Sequence, residues 1–231
     1  MFNNKYSKLL TGILITVIIA VVALLIFFGY DVYRKYYIQR ESDNVVSEFE
    51  GQVNNMIDSQ ANEIVNGTTN DIEPNLDLNT LNQGNTTGGG SSSSGGSGVK
   101  YKGYDVIGTI EIPKTNIKYP ILDQVSIRSL EASIGYIYGP GLNQVGNTVL
   151  VGHNYRNGTF FSNNKKLTNG DKIYITDSSG KKVTYIVTKK YETGTNEFSY
   201  ATRETNGKRE ISLSTCTDDT KKRIIIWAKE Q

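Results

Sequence analysis

Three residues of this sequence have side chains that together could carry out covalent chemistry, and all three lie at the ends of apolar runs. Cys216, the only cysteine, closes "REISLSTC"; Arg223 opens "RIIIWAK"; His153, the only histidine, follows "TVLVG". A thiolate is a strong nucleophile, an imidazole can pass a proton in either direction, and a guanidinium is a permanent, fork-shaped cation suited to a developing anion. Taken singly, each has an ordinary explanation: a core thiol, a hydrogen-bonded turn histidine, and a strand-end cation beside Lys221 and Lys222. Their chemistry depends on whether the chain brings them together.

The elements that must do so read as strands. Side chains alternate between faces along a strand, so Ile211, Leu213 and Thr215 share one face while Ser212, Ser214 and Cys216 share the other. In the next run Arg223, Ile225, Trp227 and Lys229 lie on one face and Ile224, Ile226 and Ala228 on the opposite one. Only Thr217 to Lys222 separate Cys216 from Arg223, so antiparallel pairing across that loop places both at one end of a sheet. Gly152 permits close backbone approach just before His153.

Residues 99–231 carry further short β-branched and aromatic runs: "YDVIGTIEI", "IKYPILD", "DKIYITD" and "KVTYIVTKKYE". Turn signals such as "SSG" at 178–180 and "NG" at 206–207 separate them. Seven or eight strands, with no sustained helical periodicity, predict an all-β domain, a closed barrel or a sandwich.

Upstream the composition changes. Residues 9–30 contain no charge, and at 1.5 Å per residue this run spans about 33 Å, enough for a hydrocarbon core. It ends in the bulky "FFGYDVYRKYY" rather than in small residues, which favours an uncleaved signal anchor over a cleaved signal peptide. The expectation is a cytoplasmic tail over 1–8, a transmembrane anchor over 9–30 in contact with membrane lipid, and an extracytoplasmic remainder. Residues 31–65 read as a partly helical stalk, with Val45, Val46, Phe49, Val53, Met56 and Ile57 at roughly helical spacing. Residues 66–98, ending in "NTTGGGSSSSGGSG", have the composition of a flexible linker.

The formal charge is −5 for residues 1–98 (5 Lys/Arg, 10 Asp/Glu) and +7 for 99–231 (20 and 13), summing to +2. A basic C-terminal half suits an anionic neighbourhood such as a membrane surface or polyanionic wall. No aromatic-basic recognition motif or zinc-finger spacing points to nucleic acid. One His and one Cys cannot supply the three or four ligands of a usual zinc site, and no cofactor is expected. A single cysteine also excludes an intramolecular disulfide.

With "VGHN" around His153, "LSTC" ending at Cys216 and "RIIIWAK" beginning at Arg223, residues 100–231 resemble the sortase family of cysteine transpeptidases. "IGTIEIPKTNIKYPIL" and "KLTNGDKIYI" look like the family's early and middle segments, and the anchor and stalk fit its layout. The resemblance implies a closed eight-stranded β-barrel preceded by a transmembrane helix. It implies cleavage of an LPXTG-like sorting signal on surface proteins, then transfer to an amine of a cell-wall precursor or a pilin lysine. It assigns Cys216 as nucleophile, His153 as acid/base and Arg223 as holder of substrate and oxyanion; Asn154 and Thr215 are candidates for orienting substrate. With reference values near 8.5 and 6.5, the thiolate–imidazolium form is about 1% of the neutral pair. Asp218 and Asp219 are candidates for screening Arg223 or binding a cation.

The rival readings are a papain-like or wall-amidase cysteine hydrolase and a tethered barrel that only binds, with an inert thiol. Papain-like enzymes place Cys before His, wall amidases usually need a second polar partner on the His, and the peptidoglycan cross-linking cysteine enzymes keep His and Cys much closer. The span from Glu192 to Ser214 is too short for the long helix some sortases insert there, and the chain has no second hydrophobic run at its C-terminus. Both features lean toward a compact housekeeping-like or specialised member.

Overall fold

A computed structural model describes residues 4–66 and 98–231. Helix α1 (Asn4–Asn66) runs without interruption for 63 residues. The expected anchor and the expected partly helical stalk both fall within this helix. The expected linker lies almost wholly outside the described residues.

Nine strands follow: β1 (Lys100–Tyr101), β2 (Tyr104–Ile112), β3 (Ile117–Leu122), β4 (Ile134–Tyr138), β5 (Gly146–Val151), β6 (Lys172–Asp177), β7 (Lys182–Gly194), β8 (Arg209–Cys216) and β9 (Lys222–Glu230). They pair in the order β1-β2-β3-β4-β5-β8-β9-β7-β6, and β6 returns to β2. Strands β2 to β9 thus form a closed eight-stranded barrel, with β1 a two-residue extension on β2. β3–β4 and β5–β8 pair in parallel and the other described pairings are antiparallel.

The alternation read from sequence sets the inside of the barrel. Ile211 and Leu213 of β8 and Ile224, Ile226 and Ala228 of β9 are buried there. The segment after His153 also contributes: Phe160 and Phe161 are fully buried, and the Phe160 ring packs 5.0 Å from that of Tyr119. Helix α2 (Ile127–Ala132) is a short crossover between β3 and β4, started by a reciprocal Ser126–Ser129 capping box.

The compact unit begins at Ser42, well before the boundary expected at 99. The reason is the apolar face of the C-terminal part of α1. Val46, Phe49 and Val53 recur at helical spacing and are buried. Phe49 and Val53 share a cluster with Val99, Tyr101, Val106, Leu122 and Ala132. Lys118 of β3 bonds Glu50 at 2.8 Å, and the Ser42 hydroxyl donates to the Lys118 carbonyl at 3.4 Å. Burial of the Phe and Val side chains contributes about 1.5–3 kcal/mol each. The helix from Ser42 onward is therefore a structural part of the barrel domain rather than a spacer.

Candidate functional site

The site is built by three neighbouring strand ends. β8 and β9 pair antiparallel with Cys216 directly opposite Arg223. Opposed residues share a face, with Cα atoms about 4.5–5.5 Å apart. Both point away from the barrel interior, as the alternation requires, and both are half-buried. The connecting turn is tied by Thr217, whose backbone N–H donates to the Lys222 carbonyl at 2.9 Å. Thr220 takes the left-handed conformation at φ 61°, a strained choice for a β-branched residue.

On the other side β5 runs parallel to β8, with Val151 opposite Ser214. The Gly152 N–H then donates to the Ser214 carbonyl at 3.2 Å. His153 follows directly, just past the end of β5, whose paired register with β8 reaches Val151 and Ser214. Cys216 and Arg223 are thus paired across the ends of β8 and β9, and His153 lies just past the end of neighbouring β5.

Close packing before His153 depends on Gly152. A Cβ there would lie 2.6 Å from Ile134 Cδ1 and 2.9 Å from Phe161 Cδ2. The buried Thr215 hydroxyl donates to the Gly152 carbonyl at 2.7 Å, so this side chain joins β8 to the end of β5. The His153 carbonyl accepts from the Phe161 N–H at 3.1 Å, and its ring lies 5.0 Å from the Tyr155 ring.

Burial lowers the His153 pKa from its ordinary value of 6.5, with Glu131 pulling weakly the other way. A less basic imidazole stays neutral to lower pH. Arg223 donates through Nε to the Thr195 carbonyl at 3.3 Å. That contact anchors the guanidinium through its Nε edge.

Asn154 is half-buried, and its amide donates to the Cys216 carbonyl and to Asp218 Oδ1, both at 2.9 Å. The two acids of the turn are engaged away from Arg223. Asp218 bonds Lys165 at 2.5 Å, and Asp219 accepts from the Thr217 hydroxyl at 2.5 Å and from the Lys221 N–H at 3.1 Å. Among the described residues, no group of three His, Cys, Asp or Glu side chains is placed to hold a metal ion.

Two residues at the site were not singled out from the sequence. Tyr200, in the connection between β7 and β8, is buried against Val149 and Ile225 on the Cys216 side of the sheet. Its hydroxyl lies 3.4 Å from Ser214 Oγ. Arg203 pairs with buried Glu210, donates to Asn147 Oδ1 at 3.1 Å and lies 4.7 Å from the centre of the Trp227 ring. Together they fasten the connection over Ser212 and Ser214. The signal was two aromatics, Phe198 and Tyr200, in an otherwise largely polar stretch, "TNEFSYATRETNGK".

This geometry is a thiol and a guanidinium paired across β8 and β9, with an imidazole just past the end of neighbouring β5, on a closed β-barrel. The family model for the sortase domain matches residues 110–231, more than half of the chain, and the chain belongs to the sortase family. It is 32% identical to Sortase A of Bacillus anthracis over 124 residues, 52% of this chain and 58% of that protein. The match thus spans less than two thirds of that relative's length.

Among solved structures, Sortase A from Corynebacterium diphtheriae superposes with a TM-score of 0.51 at 26% identity, covering 58% of this chain and 63% of that one. A pilus-related Sortase C of Group B Streptococcus gives 0.50 at 29% identity over 55% and 67%. The Clostridium perfringens Sortase D5 transpeptidase gives 0.50 at 27% identity over 55% and 79%. Relatives of three differently lettered kinds fit about equally well, so the barrel does not distinguish among them.

Proposed function

We propose that this protein is a membrane-anchored cysteine transpeptidase that cuts an LPXTG-like sorting signal and joins the released chain to an amine. The observation that supports the reading is the pairing of Cys216 with Arg223 across β8 and β9, with His153 just past the end of β5, the strand beside β8. Cys216 Sγ attacks the carbonyl carbon of the scissile Thr–Gly-type bond as its proton passes to His153. The oxyanion that forms faces the Arg223 Nη donors, which stabilise it without titrating. As the C–N bond breaks, the imidazolium gives its proton to the leaving amine, and a thioester remains on Cys216. An incoming amine loses its proton to His153 and attacks the thioester. The amide forms, the sulfur leaves, and the proton returns to it.

The acyl donor is a surface protein ending in a sorting signal, and the amine belongs to a cell-wall precursor or a pilin lysine. The uncharged run 9–30 of α1 has the length and apolarity to cross a membrane, with mean hydropathy 3.1 in its apolar window. With the short tail inside, the barrel works on the outer side.

The test incubates the full chain with a sorting-signal peptide library and assorted amines and reads products by mass spectrometry. We expect a thioacyl adduct on Cys216 and a peptide–amine product, both lost in Cys216→Ala. Arg223→Lys should lower kcat/KM about 100-fold, the size expected for an oxyanion donor. Undiminished turnover in Cys216→Ala overturns the reading.

A further inference from the structure

Strand β5 stops pairing with β8 just before the nucleophile, and a side chain continues the ladder. In the parallel β5–β8 pair the Gly152 N–H donates to the Ser214 carbonyl. Carbonyls two residues apart point to the same side of a strand, so the Cys216 carbonyl is the next acceptor and residue 154 the next donor in register. At that point the chain has already left the sheet, and the donor is the Asn154 side-chain amide, 2.9 Å from the Cys216 oxygen. A side chain thus makes the bond that the backbone no longer can, which frees the backbone at His153 to depart from strand geometry.

The amide is itself held. Its second N–H donates to Asp218 Oδ1 at 2.9 Å, and its Oδ1 accepts from the Arg156 N–H at 3.0 Å. A flipped amide would set its oxygen against a carbonyl and a carboxylate together, so the orientation is determined by its partners. The other oxygen of Asp218 takes Lys165 Nζ at 2.5 Å, and the Lys165 carbonyl accepts from Lys190 Nζ of β7 at 2.5 Å. The Asp218 carboxyl is held below its ordinary pKa chiefly by the Lys165 and Asn154 hydrogen bonds, which favour its charged, acceptor form.

We propose that Asn154, fixed by the Asp218–Lys165 pair, is a positioning residue that locks the backbone of Cys216 to the loop carrying His153. The proposal rests on the transpeptidase reading above. Lys165 and Asp218 are both largely exposed, and exposed pairs add little to folding stability. A role in placing the reacting groups is different, because small displacements of a nucleophile lower rates steeply.

The test uses the full chain in detergent with an LPXTG peptide and a triglycine amine, alongside iodoacetamide labelling of the sole cysteine as a substrate-independent measure. Asn154→Ala should lower kcat about tenfold with KM within about twofold, and slow alkylation of Cys216 about threefold or more. Asp218→Ala and Lys165→Met should lower kcat several-fold with melting temperatures within about 3 °C of wild type. Lys165→Arg should restore kcat to within about twofold. Wild-type kcat and labelling rate in Asn154→Ala, losses confined to KM, or losses that follow melting temperature would overturn the positioning role. Activity that survives in Cys216→Ala would instead overturn the underlying reading, so the two failures are distinguishable.

Discussion

His153 sits where burial disfavours its charge, and this gives the site a pH signature independent of any substrate. Its folded-state pKa is lowered from 6.5. Protonation therefore favours the unfolded chain, in which the imidazole is fully hydrated. This contribution to stability is fully present above the unfolded value and is lost as pH falls through 6.5 toward the folded value. Denaturant titrations from pH 7.5 to 5 should show stability falling, and His153→Gln should flatten that slope. Glu131 opposes the shift, so Glu131→Gln should steepen it.

At the scale of elements, the ends of β5, β8 and β9 act as one part, and Gly152 allows them to close. An alanine Cβ there would crowd Ile134 and Phe161, at 2.6 and 2.9 Å. Gly152→Ala should destabilise the fold by about 1–3 kcal/mol, the range for overpacking, and lower turnover by more than the folded fraction accounts for. Urea denaturation and a turnover assay on the same preparation separate the two effects.

Much of this part was legible in the sequence. The alternation in "EISLSTC" and "RIIIWAK" predicted which side chains face outward, and the short connection predicted that Cys216 and Arg223 meet. The parallel β5–β8 register was not legible, because those strands are far apart in sequence and nothing local specifies their partner. β4 was missed because its run is brief and interrupted by Gly135, over which Val125 and Leu130 pack from outside the strand. The Asn154–Asp218–Lys165 chain escaped notice because polar loop residues look alike until the fold brings them together.

At the scale of the molecule, the barrel domain includes a helix that lies before the Gly/Ser-rich stretch in sequence. The periodicity of Val46, Phe49 and Val53 was visible, but the surface that receives it was not. Phe49 is fully buried against β1, β2 and β3 residues. Phe49→Ala should cost about 3–5 kcal/mol, read from the fluorescence of the only tryptophan, Trp227, during denaturation. For the same reason a fragment starting at 99 should be less stable than one starting at 42.

Closure of the sheet from β6 back to β2 has a consequence for molecular recognition. An open sheet can accept an extended peptide as one more strand, so that main-chain bonds give affinity whatever the peptide's sequence. Here β6 pairs back onto β2, so the ring of β2 to β9 offers no edge strand of that kind. On the proposed reading, a sorting-signal peptide is therefore distinguished by groups outside the strands rather than by an added strand.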